Sequence, residues 1–368
     1  MKVMTVIGTR PEAIKMAPVL RLLSSDSTLD SVCVNTAQHR EMIDQVFDIF
    51  SVAPEYDLNV MKPNQSLDAL TSEIITKTSS IMKREKPAIV LVHGDTTTTF
   101  SAAYAAFINQ IPVAHVEAGL RTYDMAAPFP EEMNRQLVSR LARYHFACTE
   151  ENKMNLQKEN IDPEHILVTG NTVIDALLET IKKEFVPPSS LSSVFGNEGR
   201  MLLVTTHRRE NWETLKNIYA ALNRVIEEHS DVCLVFPVHK NPLVRSQVER
   251  FLAANERVHM LEPLDYMSFC HLMKKAHIIL TDSGGIQEEA CALGKPCLVT
   301  RERTERPEGL KTAGIKLVGT DTGRICEELR RLLTDPSHYA RMSNADNPFG
   351  DGRAAERIVQ FIKRKLLA

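Results

Sequence analysis

The sequence lacks long hydrophobic runs, a leader segment and an excess of either charge, and each absence excludes a class of protein. Its longest apolar stretches, such as residues 88–92, have the length of a buried strand, far short of the roughly 20 residues that cross a bilayer. No basic and apolar leader with a small-residue cleavage site precedes the first strand, which argues against export. Lysine and arginine number 44 against 47 aspartate and glutamate residues, so the net charge of −3 provides no basic field for nucleic acid. We therefore expect a protein that binds neither membranes nor nucleic acids.

Paired cysteine motifs are also absent. The seven cysteines never form a C-x-x-C pair, and most lie beside apolar strand or helix positions: Cys33, Cys148, Cys233, Cys270, Cys291, Cys297 and Cys326. We interpret them as reduced core thiols, and a reducing cytoplasm is the compartment we predict. His207 and His239 lack the close histidine or cysteine partners of a zinc site, so we expect no metal.

Short β-branched runs alternate with longer helical patterns almost from end to end. This alternation is typical of βαβ units and predicts an α/β protein with parallel sheets covered by helices on both faces. At roughly 150 residues per domain, 368 residues correspond to two domains. The predicted strands are residues 3–7, 31–34, 88–92, 113–116, 145–147, 166–168, 201–204, 232–236, 258–261, 278–281, 296–300 and 316–318.

The domain boundary is predicted after the strand at residues 166–168. The most loop-like stretch lies later, at residues 185–193, but the turn at residues 168–172 ends one strand and begins a helix. We therefore assign residues 1–169 to the first domain and residues 170–352 to the second. Residues 353–368 have the apolar spacing of an amphipathic helix.

Two loops that follow strands have the character of anion sites. The first includes Gly8, Arg10 and Lys15 and opens a helix, so two cations lie near a helix N-terminus. It matches neither G-x-G-x-x-G nor a Walker loop, which removes the main support for NAD or ATP, and we expect no cofactor. The alternative is a solvated arginine and lysine on an ordinary first turn.

The second anion site is predicted where the strand at residues 278–281 runs into Ser283, Gly284 and Gly285 and then a helix. The glycines allow phosphate oxygens close to backbone N–H groups, and Glu289 one turn later could accept hydrogen bonds from ribose hydroxyls. The alternative is an ordinary helix cap followed by a carboxylate near the positive end of the helix dipole.

Three carboxylates also follow strands and are candidates for proton abstraction: Asp95, Glu117 and Glu131. Neighbouring carboxylates raise one another's pKa into a useful range. Considered alone, Asp95 is most simply a helix cap and Glu131 a solvated first-turn residue. His207 and Arg208 follow another strand and suit a pyrophosphate, whereas the mixed-charge run containing Arg306 would normally be a solvated loop.

Together these segments are far more specific than any one alone. The chain closely resembles the non-hydrolysing UDP-N-acetylglucosamine 2-epimerases in segments that run in order over nearly its whole length: G-T-R-P-E-A-I-K-M-A-P, H-G-D-T-T-T, H-V-E-A-G-L-R-T, P-F-P-E-E-M-N-R, V-T-G-N-T-V-I-D-A-L, H-R-R-E-N, D-S-G-G-I-Q-E-E, T-E-R-P-E and N-P-F-G-D-G. The resemblance implies two Rossmann-like domains facing across a cleft, as in GT-B glycosyltransferases, with the C-terminal helix returning to domain one. It also implies a homodimer that interconverts UDP-N-acetylglucosamine and UDP-N-acetylmannosamine for surface-polysaccharide synthesis.

The resemblance also implies roles for individual residues. The catalytic set is Asp95, Glu117, Glu131 and His207. The substrate-binding set is Arg10, Lys15, Arg208, Phe269, Ser283, Gly284, Gly285, Glu289 and Arg306. A second UDP-N-acetylglucosamine is implied as an activator, at Gln38, Glu41, Glu131, Arg208 and His239. The chain departs from the family pattern at Thr206, where alanine is usual, and at Cys291 and Ala292, where Pro-Ser is usual.

The chemistry of such a reaction fits these residues. No carbonyl adjoins C2 of the sugar, so simple deprotonation there would be prohibitively slow. Loss of UDP from C1 with removal of the C2 proton gives a 2-acetamidoglucal, and re-addition with protonation on the other face inverts C2. This route needs cations and N–H dipoles on the diphosphate and carboxylates around C1 and C2. The alternatives are a hydrolysing epimerase that releases N-acetylmannosamine, a GT-B glycosyltransferase, which needs an acceptor, and a catalytically silent nucleotide-sugar sensor.

Overall fold

The computed structural model describes residues 1–36, 40–62, 64–206, 208, 211–238, 241–253 and 255–367, without the side chains of residues 40–42 and 243. The chain divides into two compact units. Unit 1 consists of Met1–Leu178 together with Phe349–Ala368, and unit 2 is the continuous stretch Glu179–Pro348.

The strands form two sheets, one in each unit, and every strand pair is parallel. The strands of the first sheet are β1 (Lys2–Ile7), β2 (Asp30–Asn35), β3 (Tyr56–Asp57), β4 (Ile89–His93), β5 (Val113–Ala118), β6 (Tyr144–Ala147) and β7 (Ile166–Val168), in the order β3-β2-β1-β4-β5-β6-β7. Those of the second are β8 (Arg200–Thr205), β9 (Val232–Pro237), β10 (Val258–Leu261), β11 (Ile278–Thr281), β12 (Cys297–Val299) and β13 (Ile315–Leu317), in the order β10-β9-β8-β11-β12-β13.

Helices follow nearly every strand. In chain order they are α1 (Arg10–Ser25), α2 (Arg40–Phe50), α3 (Leu67–Glu85), α4 (Thr97–Ile108), α5 (Glu131–Leu141), α6 (Glu150–Lys158), α7 (Thr172–Thr180), α8 (Ser192–Gly196), α9 (Leu215–Glu228), α10 (Pro242–Leu252), α11 (Tyr266–Lys275), α12 (Gly284–Ala292), α13 (Pro307–Lys311), α14 (Thr322–Thr334), α15 (Pro336–Ser343) and α16 (Ala354–Leu367). Residues Pro163–His165 and Ser189–Leu191 form short 3₁₀ turns. None of the helices in the described ranges is long and apolar enough to cross a membrane.

The predicted fold class is confirmed. Each predicted strand is present, with ends that differ by at most two residues. Central strands are hydrophobic along their whole length because helices cover both faces of a parallel sheet, and in β4 every residue from Ile89 to His93 is buried. Strand β3 was not predicted, because two residues at a sheet edge carry no periodic pattern.

The division between the units differs from the predicted boundary at residues 169 and 170. Residues 170–178 lie with unit 1 because the loop after β7 binds the C-terminal segment. The Asn171 N–H donates to the carbonyl of Phe349 at 2.7 Å, and the Asp175 carboxylate accepts hydrogen bonds from the first backbone N–H groups of α16, Ala354 at 3.2 Å and Ala355 at 2.8 Å. Asp175 thus caps α16, which packs on α1.

Candidate active site

The first anion loop of unit 1 is a tightly capped helix start. Gly8 follows β1 where a side chain would collide with the hydroxyls of Thr36 and Thr98, so only glycine fits. Thr9 and Glu12 form a capping box at the start of α1. The Glu12 carboxylate accepts hydrogen bonds from the N–H groups of Gly8 at 3.1 Å and Thr9 at 2.7 Å.

Glu12 also connects this loop to the loop after β4. Its other oxygen accepts hydrogen bonds from the hydroxyls of Thr96 at 2.8 Å and Thr99 at 3.1 Å. Burial raises the pKa of Glu12, and these donors oppose the shift by stabilising the charged form. Glu12 is 2% exposed, so this fully hydrogen-bonded carboxylate fixes the loop of Asp95 relative to the helix of Lys15.

Glu117 lies at an irregularity at the end of β5. The register with β6 shifts between Val116 and Ala118, and Glu117 itself has φ 62°, a left-handed conformation that is strained for any residue other than glycine. The Lys15 ammonium donates to its carboxylate, and Asn171 Nδ2 donates to the same oxygen at 2.9 Å. In the Lys15–Glu117 ion pair the glutamate side chain is buried and the lysine side chain is largely buried. The strained backbone therefore presents a buried, oriented carboxylate at the carboxyl end of the sheet.

A buried histidine adjoins this carboxylate. His93 Nε2 lies 3.7 Å from Glu117 Oε2, and neither ring nitrogen of His93 makes a hydrogen bond to the described residues. Burial lowers the pKa of His93 to about 4, although Glu117 opposes the shift, so the imidazole is neutral at pH 7. The neighbouring His115 donates through Nε2 to the carbonyl of Gly94 at 2.7 Å and so fixes the turn before Asp95.

Asp95 is paired with an arginine from α5. Its Oδ2 accepts a hydrogen bond from Arg135 Nε at 2.9 Å and lies 2.8 Å from a terminal nitrogen of the same guanidinium, so the two groups form an ion pair. Burial raises the pKa of Asp95, and the Arg135 guanidinium opposes that shift. Glu117 and Glu131 also raise the pKa and Lys15 lowers it, so the structure brings the predicted acidic residues into one electrostatic neighbourhood.

Glu131 is the first residue of α5, directly after the segment with cis peptide bonds at Ala127–Pro128 and Phe129–Pro130. It is half-buried, and its side chain makes no hydrogen bond to another residue that the structure describes. It is therefore available to a ligand, unlike Glu132, which is fully buried and accepts hydrogen bonds from the backbone of Thr122 at 3.0 Å and Tyr123 at 3.1 Å.

In unit 2, the second anion loop forms the N-terminus of α12. Ser283 is the N-cap residue but its side chain makes no capping hydrogen bond, and Gly284 and Gly285 supply the first N–H groups of the helix. A Cβ at Gly284 would lie 3.7 Å from the guanidinium carbon of Arg306, so a cation adjoins this helix start. Arg306 is buried and donates to Glu288. The combination of helix dipole, N–H groups and guanidinium is suited to an anion.

The remaining predicted residues of unit 2 lie around this helix. Glu289 is a buried residue of α12, and Phe269 is a half-buried residue of α11. Burial raises the pKa of the Tyr266 phenol at the start of α11, and the nearby Cys270 and Glu289 raise this pKa further. The start of α11 therefore lies close to Glu289. The backbone N–H of Arg208 donates to Asp282 at 2.9 Å, so the loop after β8 is anchored beside the same site.

Some predicted positions cannot be placed. Gln38, His207 and His239 lie outside the described residues, as does the side chain of Glu41, whose backbone belongs to α2. Arg10 is the first residue of α1 and is half-exposed.

Four further residues of the site were not predicted as functional: Glu12, His93, Arg135 and Asn171. All four occur in the quoted family segments, and that position beside the predicted carboxylates was the one signal that could have pointed to them.

Both departures from the family pattern are structural. The Thr206 hydroxyl forms a buried hydrogen bond of 2.9 Å with the Tyr219 hydroxyl. Cys291 is buried, and burial, with Glu288 as a smaller cause, raises the pKa of its thiol to about 12, which makes it unreactive. Neither change removes a charged group from the site. Among the described residues, no group of histidine, cysteine, aspartate or glutamate side chains is arranged to bind a metal.

Comparison with known proteins gives consistent matches along the chain. A family model described as UDP-N-acetylglucosamine 2-epimerase matches residues 21–363. The UDP-N-acetylglucosamine 2-epimerase of Bacillus subtilis is 51% identical over 361 residues, which are 98% of this chain and 94% of that protein. The crystal structure of UDP-GlcNAc 2-epimerase from Neisseria meningitidis bound to UDP-GlcNAc is 48% identical with a TM-score of 0.92, over 99% of this chain and 100% of that one. The Methanocaldococcus jannaschii UDP-GlcNAc 2-epimerase in complex with UDP-GlcNAc and UDP is 35% identical with a TM-score of 0.82, over 99% and 100%.

Proposed function

The chain belongs to the UDP-N-acetylglucosamine 2-epimerase family, and we propose that it performs this isomerisation by eliminating UDP and adding it back. Its substrate and product are UDP-N-acetylglucosamine and UDP-N-acetylmannosamine. In the proposed route the C1–O bond to UDP and the C2–H bond both break. The electron pair of the C–H bond forms the C1–C2 double bond of a 2-acetamidoglucal, and UDP leaves with the electrons of the C–O bond. Re-addition of UDP to C1 with protonation on the opposite face of C2 completes the epimerisation.

Unit 2 binds the departing diphosphate in this proposal. Charge accumulates on UDP as the C1–O bond breaks, and preorganised donors stabilise it without reorganisation. The N-terminus of α12 at Gly284 and Gly285, with the Arg306 guanidinium beside it, supplies such donors. Glu289 would bind the ribose hydroxyls, and His207 and Arg208 would add charge to the same leaving group.

Unit 1 supplies the proton-transfer groups. The observation that carries the proposal is the Glu117 carboxylate, which is buried, strained in its backbone and oriented by Lys15 and Asn171. Strain and burial of this kind occur at functional sites because a folding cost is retained only where orientation matters. Asp95 and Glu131 belong to the same electrostatic neighbourhood, so the proposed route has more than one carboxylate for proton transfer at C2.

Proton NMR of UDP-N-acetylglucosamine with the enzyme in deuterated water tests this route. We expect deuterium at C2 as UDP-N-acetylmannosamine appears, together with small amounts of UDP and glycal after prolonged incubation. Glu117→Gln is the matched control and should abolish the exchange. Epimer that retains its original C2 proton would overturn the mechanism, and free N-acetylmannosamine as the main product would instead indicate hydrolysis.

We also propose a homodimer formed through the outer face of α4 and α5. This face exposes Tyr104, Phe107 and Ile108 from α4, with Phe107 56% exposed, and Leu137 from α5. An exposed apolar patch of this kind is typical of an interface, and a twofold axis would place the same patch on both copies. Light scattering should give twice the mass of one chain, and Phe107→Glu should give a monomer. Val186→Glu, at an exposed position in unit 2, is the control, and a Phe107→Glu protein that stays dimeric would refute this surface.

Two further proposals concern regulation and location. A second UDP-N-acetylglucosamine would act as an activator. Its proposed site includes Gln38, Glu41, Glu131, Arg208 and His239. The proposed compartment is the cytoplasm, because all seven cysteines are buried and are present as thiols that form no disulfide. Recovery of the native enzyme in an exported fraction of the cell would contradict this location.

A further inference from the structure

A continuous chain of hydrogen bonds connects a surface loop to Asp95 through α5. The backbone N–H groups of Thr122 and Tyr123 donate to Glu132, which accepts a further hydrogen bond from Arg135 at 3.2 Å. Arg135 Nε donates to one carboxylate oxygen of Asp95 at 2.9 Å, and a terminal nitrogen of the guanidinium lies 2.8 Å from the same oxygen. Arg135 is 7% exposed and Glu132 is fully buried, so water does not compete strongly for these contacts.

Helix α5 contacts Asp95 at a second point. Asn134 Nδ2 donates to the backbone carbonyl of Asp95 at 2.8 Å. Consecutive residues of α5 therefore bind the backbone and the side chain of Asp95. An Asp95 that only capped α4 would not need this support, and the cap of that helix is in fact the Thr96 hydroxyl, which accepts from the Thr99 N–H at 3.1 Å.

The charges that face Asp95 come from three other elements of unit 1. They are Arg135 and Glu131 from α5, Glu117 from β5 and Lys15 from α1. Lys15 is already engaged by Glu117, and the two glutamates repel a charge on Asp95. Arg135 is thus the cation in direct contact with Asp95, and it opposes both the burial and the repulsion of this site.

We propose that Arg135 is a positioning residue that fixes the orientation and the charge of the Asp95 carboxylate during proton transfer at C2. This inference rests on the proposed role of Asp95 in the epimerisation. Glu132 in turn orients Arg135, since its carboxylate is bound to the backbone of residues 122 and 123 as well as to the guanidinium. The P-F-P-E-E-M-N-R segment therefore contributes a candidate acid–base group in Glu131 and the support of another in Arg135.

The test is the pH dependence of kcat for Arg135→Met and Arg135→Lys, with Arg140→Met on the exposed face of α5 as the control. An adjacent opposite charge shifts a carboxyl pKa by about 1 to 3 units. Removal of Arg135 should raise the pKa of Asp95, so the limb of the profile that belongs to Asp95 should move to higher pH by about one unit or more. This direction holds whether Asp95 reacts as base or as acid. We expect KM to change less than kcat.

Arg135→Lys keeps the charge but lacks the planar guanidinium that donates to Asp95 and Glu132 from separate nitrogens, so it should lower kcat about tenfold with a smaller shift of the profile. This variant also serves if Arg135→Met does not fold, which circular dichroism will show. Arg140→Met should match the parent enzyme. A uniform loss of kcat with an unmoved pH profile in Arg135→Met, or full turnover in Arg135→Lys, would overturn the inference.

A failure of the proposed function can be distinguished from a failure of the role proposed for Arg135. The deuterium experiment uses the unaltered enzyme, so a missing C2 exchange there would refute the elimination route whatever the Arg135 variants do. Normal exchange in the unaltered enzyme with unmoved pH profiles in the variants would refute the role of Arg135 alone.

Discussion

Variants of the ion pair between Lys15 and Glu117 can separate its contribution to the stability of unit 1 from its contribution to turnover. The side chains of Lys15 and Glu117 are only 13% and 7% exposed, and Asn171 is a further donor to the same carboxylate. Removal of one partner of a buried pair leaves an uncompensated charge and costs about 3–5 kcal/mol. We therefore expect Glu117→Gln and Lys15→Met each to destabilise unit 1 by about 3 kcal/mol.

The double variant should behave differently for the two properties. When both charges are removed together, neither is left without the partner it has in the ion pair, so the double variant should lose about 3 kcal/mol in total and not the sum of the single losses. The catalytic carboxylate is still missing, however, and its loss lowers kcat by roughly 100-fold or more. Glu117→Gln and the double variant should therefore be equally inactive, although the double variant is less destabilised than the sum of the two single variants.

The measurement is amide hydrogen exchange of β4 and β5 peptides by mass spectrometry, which reports the unfolding of unit 1 separately from unit 2. Turnover is followed in parallel by NMR. Additive destabilisation in the double variant would mean that the pair contributes no coupling energy. Near-native turnover of Glu117→Gln would remove Glu117 from the catalytic groups.

Three other outcomes are expected. Gly8→Ala should destabilise β1 by about 1–3 kcal/mol in hydrogen exchange, because its methyl group meets the buried hydroxyls of Thr36 and Thr98, and unchanged protection would show that this loop can relax. Arg306→Met should weaken UDP binding by about ten- to a hundredfold in calorimetry, the scale of a hydrogen bond to a charged group, and parent-like affinity would place the diphosphate elsewhere. UDP-N-acetylmannosamine supplied alone should react after a lag that a trace of UDP-N-acetylglucosamine removes, and lag-free hyperbolic kinetics would show that the activator site is missing.

The fold could be predicted to the extent that its causes are local. A run such as residues 88–92 is apolar because its strand is buried on both faces, and this property is visible without knowing the neighbours. The boundary between the units was harder to predict, because Asp175 belongs to unit 1 through hydrogen bonds to Ala354 and Ala355. These two residues lie 179 and 180 positions further along the chain. No pattern along the chain encodes such a contact.

For the site, too, individual residues could be predicted from the sequence but their contacts could not. Lys15 and Glu117 were each identifiable, because both follow strands whose carboxyl ends lie at one edge of a parallel sheet. Their pairing was not, since 102 residues separate them. In the sequence Arg135 resembles an ordinary helix residue, because its proposed function depends on its contact with Asp95, 40 residues earlier.

The capping of α16 by Asp175 has a consequence for the order in which the protein is synthesised. Unit 2 is continuous, whereas unit 1 needs its last helix to cover α1, where Lys363 also binds Asp26 at 2.6 Å. At 5–20 residues per second, roughly ten to thirty seconds pass on the ribosome between Leu178 and Phe349. For that time the nascent first unit exposes the apolar face that α16 later buries, so the half of the protein that is made first is the half that is finished last.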